Sequence, residues 1–298
     1  MAGNNQSKAI LYAGFVVLCW STVATAFKIA LTEMNYKELL LVSAITATVI
    51  YLVAIISGGK LSALFNCFRN KRQLMKTALL GLVNPLIYYL ILFKAYSLLP
   101  AQVAQPINCS WQIILPLFGV FFLKQKVTSH QWIGLIISFT GIIFISAQGS
   151  FSELKIDSLP GIFLALGSAL FWAFYWMLKI DSQLDSRVEL FINALVASVI
   201  LIVYFSFSGF HLPSVKGLLS GIYVGTFEMG IAFLFWAKAL KLSNNTAMMS
   251  QLTYLAPFLS LIFIHLFLRE HIYWTTLTGL PLIIGGILFS KVIQRGDL

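Results

Sequence analysis

An all-α membrane protein is the fold class this sequence predicts: ten transmembrane helices in two inverted five-helix repeats, with both termini cytoplasmic. Three observations predict it. Of 298 residues, 59% are hydrophobic and only 10% charged, whereas soluble domains carry roughly 25% charged residues. Apolar runs recur from Lys8 almost to the C-terminus, long enough for a bilayer core that needs roughly 20 residues per helix. The same residue types also return at a fixed separation in the second half.

The first span is Lys8 to Leu31. It is longer than the apolar region of a secretory signal and runs on past Ala24-Thr25-Ala26, whose small residues are spaced like a cleavage site, so it stays as a helix. Ser21, Thr25 and Lys28 share one face at helical spacing. Lys28 either turns inward with them or snorkels from the outer end. The second span is Leu39 to Ser57, and a basic loop from Lys60 to Lys76 follows. The third, Thr77 to Leu99, holds Asn84 beside Pro85, and the deep pair Tyr88 and Tyr89, at least one of which needs a hydrogen-bond partner. The fourth, Ala101 to Leu123, carries Gln102, Gln105, Asn108, Cys109 and Gln112 on one broad face. Such a stripe avoids lipid, serving as glue between helices or as a substrate path. Pro116 and, in the ninth span, Pro257 remove backbone donors and leave carbonyls near Gln112 and Thr253 without helical partners.

The fifth span is Gln131 to Ala147. Residues 1–147 form the first repeat, 148–158 a short polar linker, and 159–298 the second repeat. The sixth span, Leu159 to Leu178, places Trp172, Tyr175, Trp176 and Lys179 along one face. Aromatic rings supply apolar area and hold cations by their faces. Trp172 is deep enough for a cavity. Trp176 is expected as an interface anchor, and Lys94, Lys179 and Lys238 as snorkelling side chains at helix ends. The seventh span is Val188 to Phe207. The eighth, Gly217 to Leu240, contains Glu228, the only carboxylate well inside any span. Burying a charge there is costly, so Glu228 faces a cavity or a partner. It binds a substrate ammonium group, cycles a proton, or bonds a neighbouring helix. Gly81, Gly221 and Gly225 allow close helix packing. The ninth and tenth spans are Asn245 to Leu268 and Trp274 to Val292.

Backbone polar groups find no water in lipid, so each span closes its own hydrogen bonds as a helix, and the lack of period-two alternation excludes a barrel. With ten spans, fourteen of the 20 lysines and arginines fall on one side, which the positive-inside rule makes cytoplasmic. The net charge of +10 is thereby a topology signal with lipid headgroup contact, and not a nucleic-acid footprint. Cys19, Cys67 and Cys109 offer neither a disulfide framework nor a metal spacing. His130, His211, His265 and His271 form no ligand pair, and the Gly-x4-Gly-Lys-[Ser/Thr] loop is absent, so no metal or cofactor is expected. Scattered carboxylates argue against a membrane-embedded enzyme acting on phosphates.

Phe93-Lys94-Ala95 and Ala237-Lys238-Ala239 are related by the same separation as Gly81 and Gly225, while Gly134 and Gly141 pair with Gly279 and Gly286. An odd number of helices per copy inverts the second copy, a plan that recurs in secondary transporters with the site near the midplane. The stretches Leu18-Cys19-Trp20-Ser21-Thr22 and Phe171-Trp172-Ala173-Phe174-Tyr175, and the Pro-containing spans ending Leu123-Lys124-Gln125 and Leu268-Arg269-Glu270, resemble the EamA family of the drug/metabolite transporter (DMT) superfamily. Asn108-Cys109-Ser110-Trp111, Trp172-Ala173-Phe174-Tyr175 and Tyr254-Leu255-Ala256-Pro257-Phe258-Leu259-Ser260 are similar to motifs of YddG-type aromatic amino acid exporters, with Cys109 where those carry tyrosine. The resemblance implies a secondary exporter of amino acids or related amphipathic metabolites, with an aromatic-lined cavity around Trp111 and Trp172. The site expected is Glu228, Trp111, Trp172, Asn108, Gln105, Gln112, Tyr88, Tyr175, Ser21, Thr25 and Lys28. Expected partners are a small-molecule substrate and the lipid bilayer, with protons joining if Glu228 cycles one. Short loops point to a bacterial inner membrane. The rival readings are an uptake or exchange carrier for a cationic amine or a nucleotide-linked metabolite, and a membrane enzyme.

Overall fold

A computed structural model describes residues 2–123, 129–151, 158–179, 182–243, 249 and 252–292. Lys124, Gln125, Lys126, most of the expected linker, Asn245 and Arg295 lie outside them. The described residues form helices and connections without a strand. In chain order the helices are α1 (Ala2–Glu33), α2 (Tyr36–Ser57), α3 (Leu61–Arg69), α4 (Lys71–Gly81), α5 (Tyr88–Leu98), α6 (Ala101–Asn108), α7 (Trp111–Leu123) and α8 (Ser129–Ser146). They continue as α9 (Leu159–Lys179), α10 (Ser186–Ser208), α11 (Val215–Val224), α12 (Ile231–Leu242), α13 (Leu255–Phe263) and α14 (Trp274–Val292). Wide π-type turns, Leu82–Ile87 and Gly225–Gly230, join α4 to α5 and α11 to α12.

Six helical stretches among the described residues are long and apolar enough to span a bilayer, and shorter apolar helices fill the remaining layers. Their outward faces are apolar: Phe207 is 88% exposed, Phe163 68% and Leu11 72%. In water such a surface would aggregate; in a bilayer it is solvated by acyl chains. The protein is a multi-pass integral membrane protein.

Interfaces are built from small residues and short polar bonds, as expected where lipid removes the hydrophobic drive between helices. α8 and α14 make the closest pair. A Cβ on Gly141 would sit 2.5 Å from the carbonyl oxygen of Gly279, one on Gly279 2.6 Å from that of Gly141, and Ser138 Oγ donates to the Ile283 carbonyl at 3.0 Å. α2 lies against both α10 and the second π turn. Ser43 Oγ donates to the Gly221 carbonyl at 3.1 Å, and Tyr51 Oη donates to the Met229 carbonyl. Gly81 rests on the backbone of Asn193, Gly221 on Val42 and Gly225 on Ser43, so these three glycines serve close packing as expected. α1 packs on α12 and α13, while α9 packs on α5 and α7.

Three expectations need correction. The segment expected as a basic loop from Lys60 to Lys76 is mostly helical. α3 buries Leu64 and Cys67 and turns Leu61, Phe65 and Phe68 outward, the arrangement of a helix lying at a membrane surface. Cys67 is therefore buried in a helix and not in a loop. The third expected span begins six residues early, at Lys71, and leaves helical geometry at Asn84 (φ −143°, ψ 120°), whose peptide bond to Pro85 is cis. The fourth breaks at Cys109-Ser110, between α6 and α7.

Candidate functional site

The second π turn, the α6–α7 break and the start of α13 meet at one cavity. A helix that loses its regular ladder exposes backbone and re-aims side chains, which is tolerated within a membrane only where protein or a water-filled cavity surrounds it. The cavity here has a volume of about 80 Å3, room for a small cluster of waters. α1 contributes Trp20, Val23 and Phe27; α5 contributes Tyr88, Leu92 and Tyr96. The broken α6–α7 pair supplies Gln105, Asn108, Cys109, Trp111 and Gln112, α9 supplies Trp172, and Thr253, Ala256 and Pro257 close the wall.

Glu228 enters this cavity from the second π turn and is 8% exposed. Its Oε1 accepts a 2.9 Å hydrogen bond from Tyr89 Oη, whereas its Oε2 is buried with no partner among the described residues. A buried carboxyl normally saturates both oxygens. Among the described residues, Glu228 thus keeps one unmatched carboxyl oxygen beside an aromatic-walled cavity.

The aromatic wall centres on Trp172. Its ring lies 4.7 Å from Tyr88, 5.5 Å from Phe233, 6.0 Å from Trp176 and 6.3 Å from Trp111, centroid to centroid. Polar residues between the rings are fixed in place. Tyr88 Oη donates to Asn108 Oδ1 at 3.2 Å, Asn108 Nδ2 donates to Ser168 Oγ at 2.8 Å, and Gln105 Nε2 donates to the Trp20 carbonyl at 3.3 Å. Ser260 Oγ donates to Gln105 Oε1.

Seven of the eleven expected residues thus meet at one cavity: Glu228, Trp111, Trp172, Asn108, Gln105, Gln112 and Tyr88. Tyr175 does not reach it. It lines a second, smaller pocket with Trp176, Lys179, Trp236 and one face of Trp172, so the indole of Trp172 is a wall common to both. Ser21 is fully buried and donates to the Leu18 carbonyl of its own helix at 2.7 Å. Thr25 lines a lateral crevice with Thr22, Tyr223 and Phe263. Lys28 points inward but donates to the Tyr96 and Leu99 carbonyls, at 3.0 Å each. It caps the C-terminal end of α5, where cations are favoured, and is spent there.

Four further expectations change. Lys179 does not snorkel: its Nζ lies 3.1 Å from Glu189 Oε2, with the carboxylate side chain 2% exposed. Glu189 is thus another deeply buried carboxylate, already paired. Trp176 is no interface anchor, since its Nε1 is buried inside the aromatic cluster without a partner among the described residues. Gln102 leaves the polar stripe and binds the chain before α14, donating to the His271 carbonyl and accepting from Tyr273 N, both at 2.8 Å. The Thr253 carbonyl, expected to be free below Pro257, accepts from Ala256 N at 3.1 Å.

The residues missed are Trp20, Val23, Phe27, Leu92 and Tyr96. The signal was present in helical spacing. Trp20, Val23 and Phe27 lie three and four apart, as do Tyr88, Leu92 and Tyr96 at four.

The sequence profile of the EamA-like transporter family matches residues 7–147 and again residues 159–291. An uncharacterized transporter of Bacillus subtilis (strain 168), YvbV, is 26% identical over 306 aligned positions, which cover 98% of this chain and 94% of that protein. A second one from the same organism, YxxF, is 25% identical over 76% of this chain and 73% of its own length. A protein of known crystal structure superposes with a TM-score of 0.70 at 20% identity, covering 98% of this chain and 99% of that one, and so shares the fold.

Proposed function

Because the chain belongs to the EamA-like transporter family, we propose that it exports a small amphipathic amine, foremost an amino acid with an aromatic or other hydrophobic side chain. One observation carries this reading: the unpartnered Oε2 of Glu228 in a cavity walled by Trp20, Tyr88, Trp111 and Trp172. An ammonium group satisfies the free carboxylate oxygen in a charge-assisted hydrogen bond, and an apolar side chain fills the space between the rings. Gln112, on the wall and with no side-chain hydrogen bond among the described residues, offers an amide donor to a substrate carboxylate. A nucleotide-linked substrate fits less well. It would need several free inward cations, and Lys28 and Lys179 are both engaged.

The cavity is smaller than an aromatic amino acid, so binding needs helix movement. We take the ten spans as two five-helix repeats, 1–147 and 159–298, inverted in the membrane, with both termini in the cytoplasm of a bacterial cell. The exchange of partners supports this: α1 packs on α12 and α13 as α9 packs on α5 and α7. Alternating access is then the rocking of these groups around the cavity. A cysteine placed at Lys71 in cells should be labelled only after the membrane is breached; labelling of intact cells inverts the assignment.

The decisive experiment is thermal unfolding of purified protein with a panel of amino acids, amines and nucleotides, since a ligand of the folded state raises apparent stability with concentration. Aromatic or branched amino acids should raise the midpoint, and liposome flux of the best ligand should fall at least ten-fold in Glu228→Gln. Stabilisation by amines alone shifts the substrate to a cationic amine. Unchanged flux and affinity in Glu228→Gln would refute the site.

A further inference from the structure

Away from the central cavity, an open groove of about 780 Å3 runs along α4 and the first π turn, facing the end of α9 and the start of α10. Its upper part carries Arg72 and Lys76; its apolar wall includes Leu79, Val83, Ile87 and Leu178. Arg72 and Lys76 are exposed and have no acidic partner among the described residues. Glu189 borders the groove, but is 1% exposed and held by Lys179. Among the described residues the mouth thus holds two uncompensated positive charges above an apolar trough.

Two dimensions identify the occupant. Lys76 and Val83 are seven residues apart, about 10 Å of helix at 1.5 Å per residue, before the chain leaves helical geometry at Asn84. That is about a third of a hydrocarbon core about 30 Å thick, so the trough lies within the depth of one leaflet. The trough also opens sideways, since Leu79 is 53% and Leu178 46% exposed. A soluble anion would use the two cations and leave the trough empty. A zwitterionic lipid would bring its own positive charge to a basic mouth.

We propose that this groove binds one anionic phospholipid, its phosphate between Arg72 and Lys76 and an acyl chain along Leu79, Val83 and Ile87. Basic pockets between helices are a recurrent form of anionic headgroup recognition. The lipid would brace α4 against α10 next to the Asn84 break, independently of what the central cavity carries.

The test is thermal unfolding of the full-length protein in neutral detergent, titrated with phosphatidylglycerol, phosphatidylcholine or glycerol-3-phosphate. Phosphatidylglycerol should raise the midpoint with concentration while the other two leave it in place. Replacing both Arg72→Gln and Lys76→Gln should weaken the phosphatidylglycerol response at least ten-fold. Val83→Trp, which fills the trough and keeps both charges, should do the same. Equal stabilisation by phosphatidylcholine points to generic solvation, and equal stabilisation by glycerol-3-phosphate to a soluble anion; either overturns the proposal. So does a phosphatidylglycerol response that survives in both variants. The wild-type comparison stands even if a variant does not fold.

Discussion

Tyr89 shows how much of the site rests on single bonds. Among the described residues its fully buried hydroxyl is the one hydrogen-bond donor to the Glu228 carboxyl, and removing it leaves that carboxyl with no donor among them. We expect Tyr89→Phe to lower stability by about 1–3 kcal/mol, the cost of stranding a buried polar group, measurable as a shift in thermal midpoint without ligand. Asp185 makes the opposite case, outside the membrane-spanning helices. It caps α10, accepting from Arg187 N and Nε at 3.0 Å each, while Arg187 Nη2 donates to its other oxygen. The Arg187 guanidinium holds the Asp185 carboxyl below its ordinary value of 3.8. A depressed carboxyl contributes its full stability above the unfolded value and loses it as pH falls through the folded one. Acid should therefore destabilise the wild type below about pH 4, and Asp185→Asn, which keeps an N-cap oxygen, should flatten that part of the profile. On α1 the sequence misled by one step. Ser21, Thr25 and Lys28 were favoured because they are polar, yet the cavity face is Trp20, Val23 and Phe27. Neighbouring residues on a helix point about 100° apart, and polarity is a poor compass where the site is aromatic.

Among the elements, apolar length was the legible quantity and helix breaks were not. Gly225 and Gly230 flank one π turn and Pro85 lies in the other, so composition hinted at those two. The α6–α7 break has no glycine, and Pro106 and Pro116 lie several residues either side of Cys109-Ser110. What sits there is tertiary: Asn108 held by Tyr88 and Ser168 just before the turn. Pairings across helices were hidden for the same reason. Lys179 reads as a helix-end cation until Glu189, ten residues on, folds back against it. This ion pair fastens α9 to α10. Removing one member strands the other charge, so Glu189→Gln should cost about 3–5 kcal/mol, whereas replacing the pair together by Lys179→Met and Glu189→Leu should cost much less. A double-mutant cycle on thermal midpoints reads the difference.

At the scale of the whole molecule, the membrane class was legible because it depends on composition summed over the chain, and the common register of Gly141 with Gly286 and Gly134 with Gly279 is of that additive kind too. The location of the cavity was legible in part. Glu228 and the polar face of α6 stood out against an apolar background, whereas Leu92, Phe27 and Tyr96 did not. What no summed property reveals is that the central cavity and the pocket beside Lys179 meet at one indole, that of Trp172. We expect that ring to act as an electrical insulator. A file of water joining the two pockets would carry protons down the membrane potential whether or not cargo moved, and a cell would lose charge through every idle copy. Proteoliposomes of the wild type without substrate should therefore hold an imposed proton gradient as long as empty vesicles do, and Trp172→Ala should collapse it at least several-fold faster, read with an internal pH dye. On this view the aromatic plate keeps the resting carrier from shorting the energy supply of the membrane it sits in.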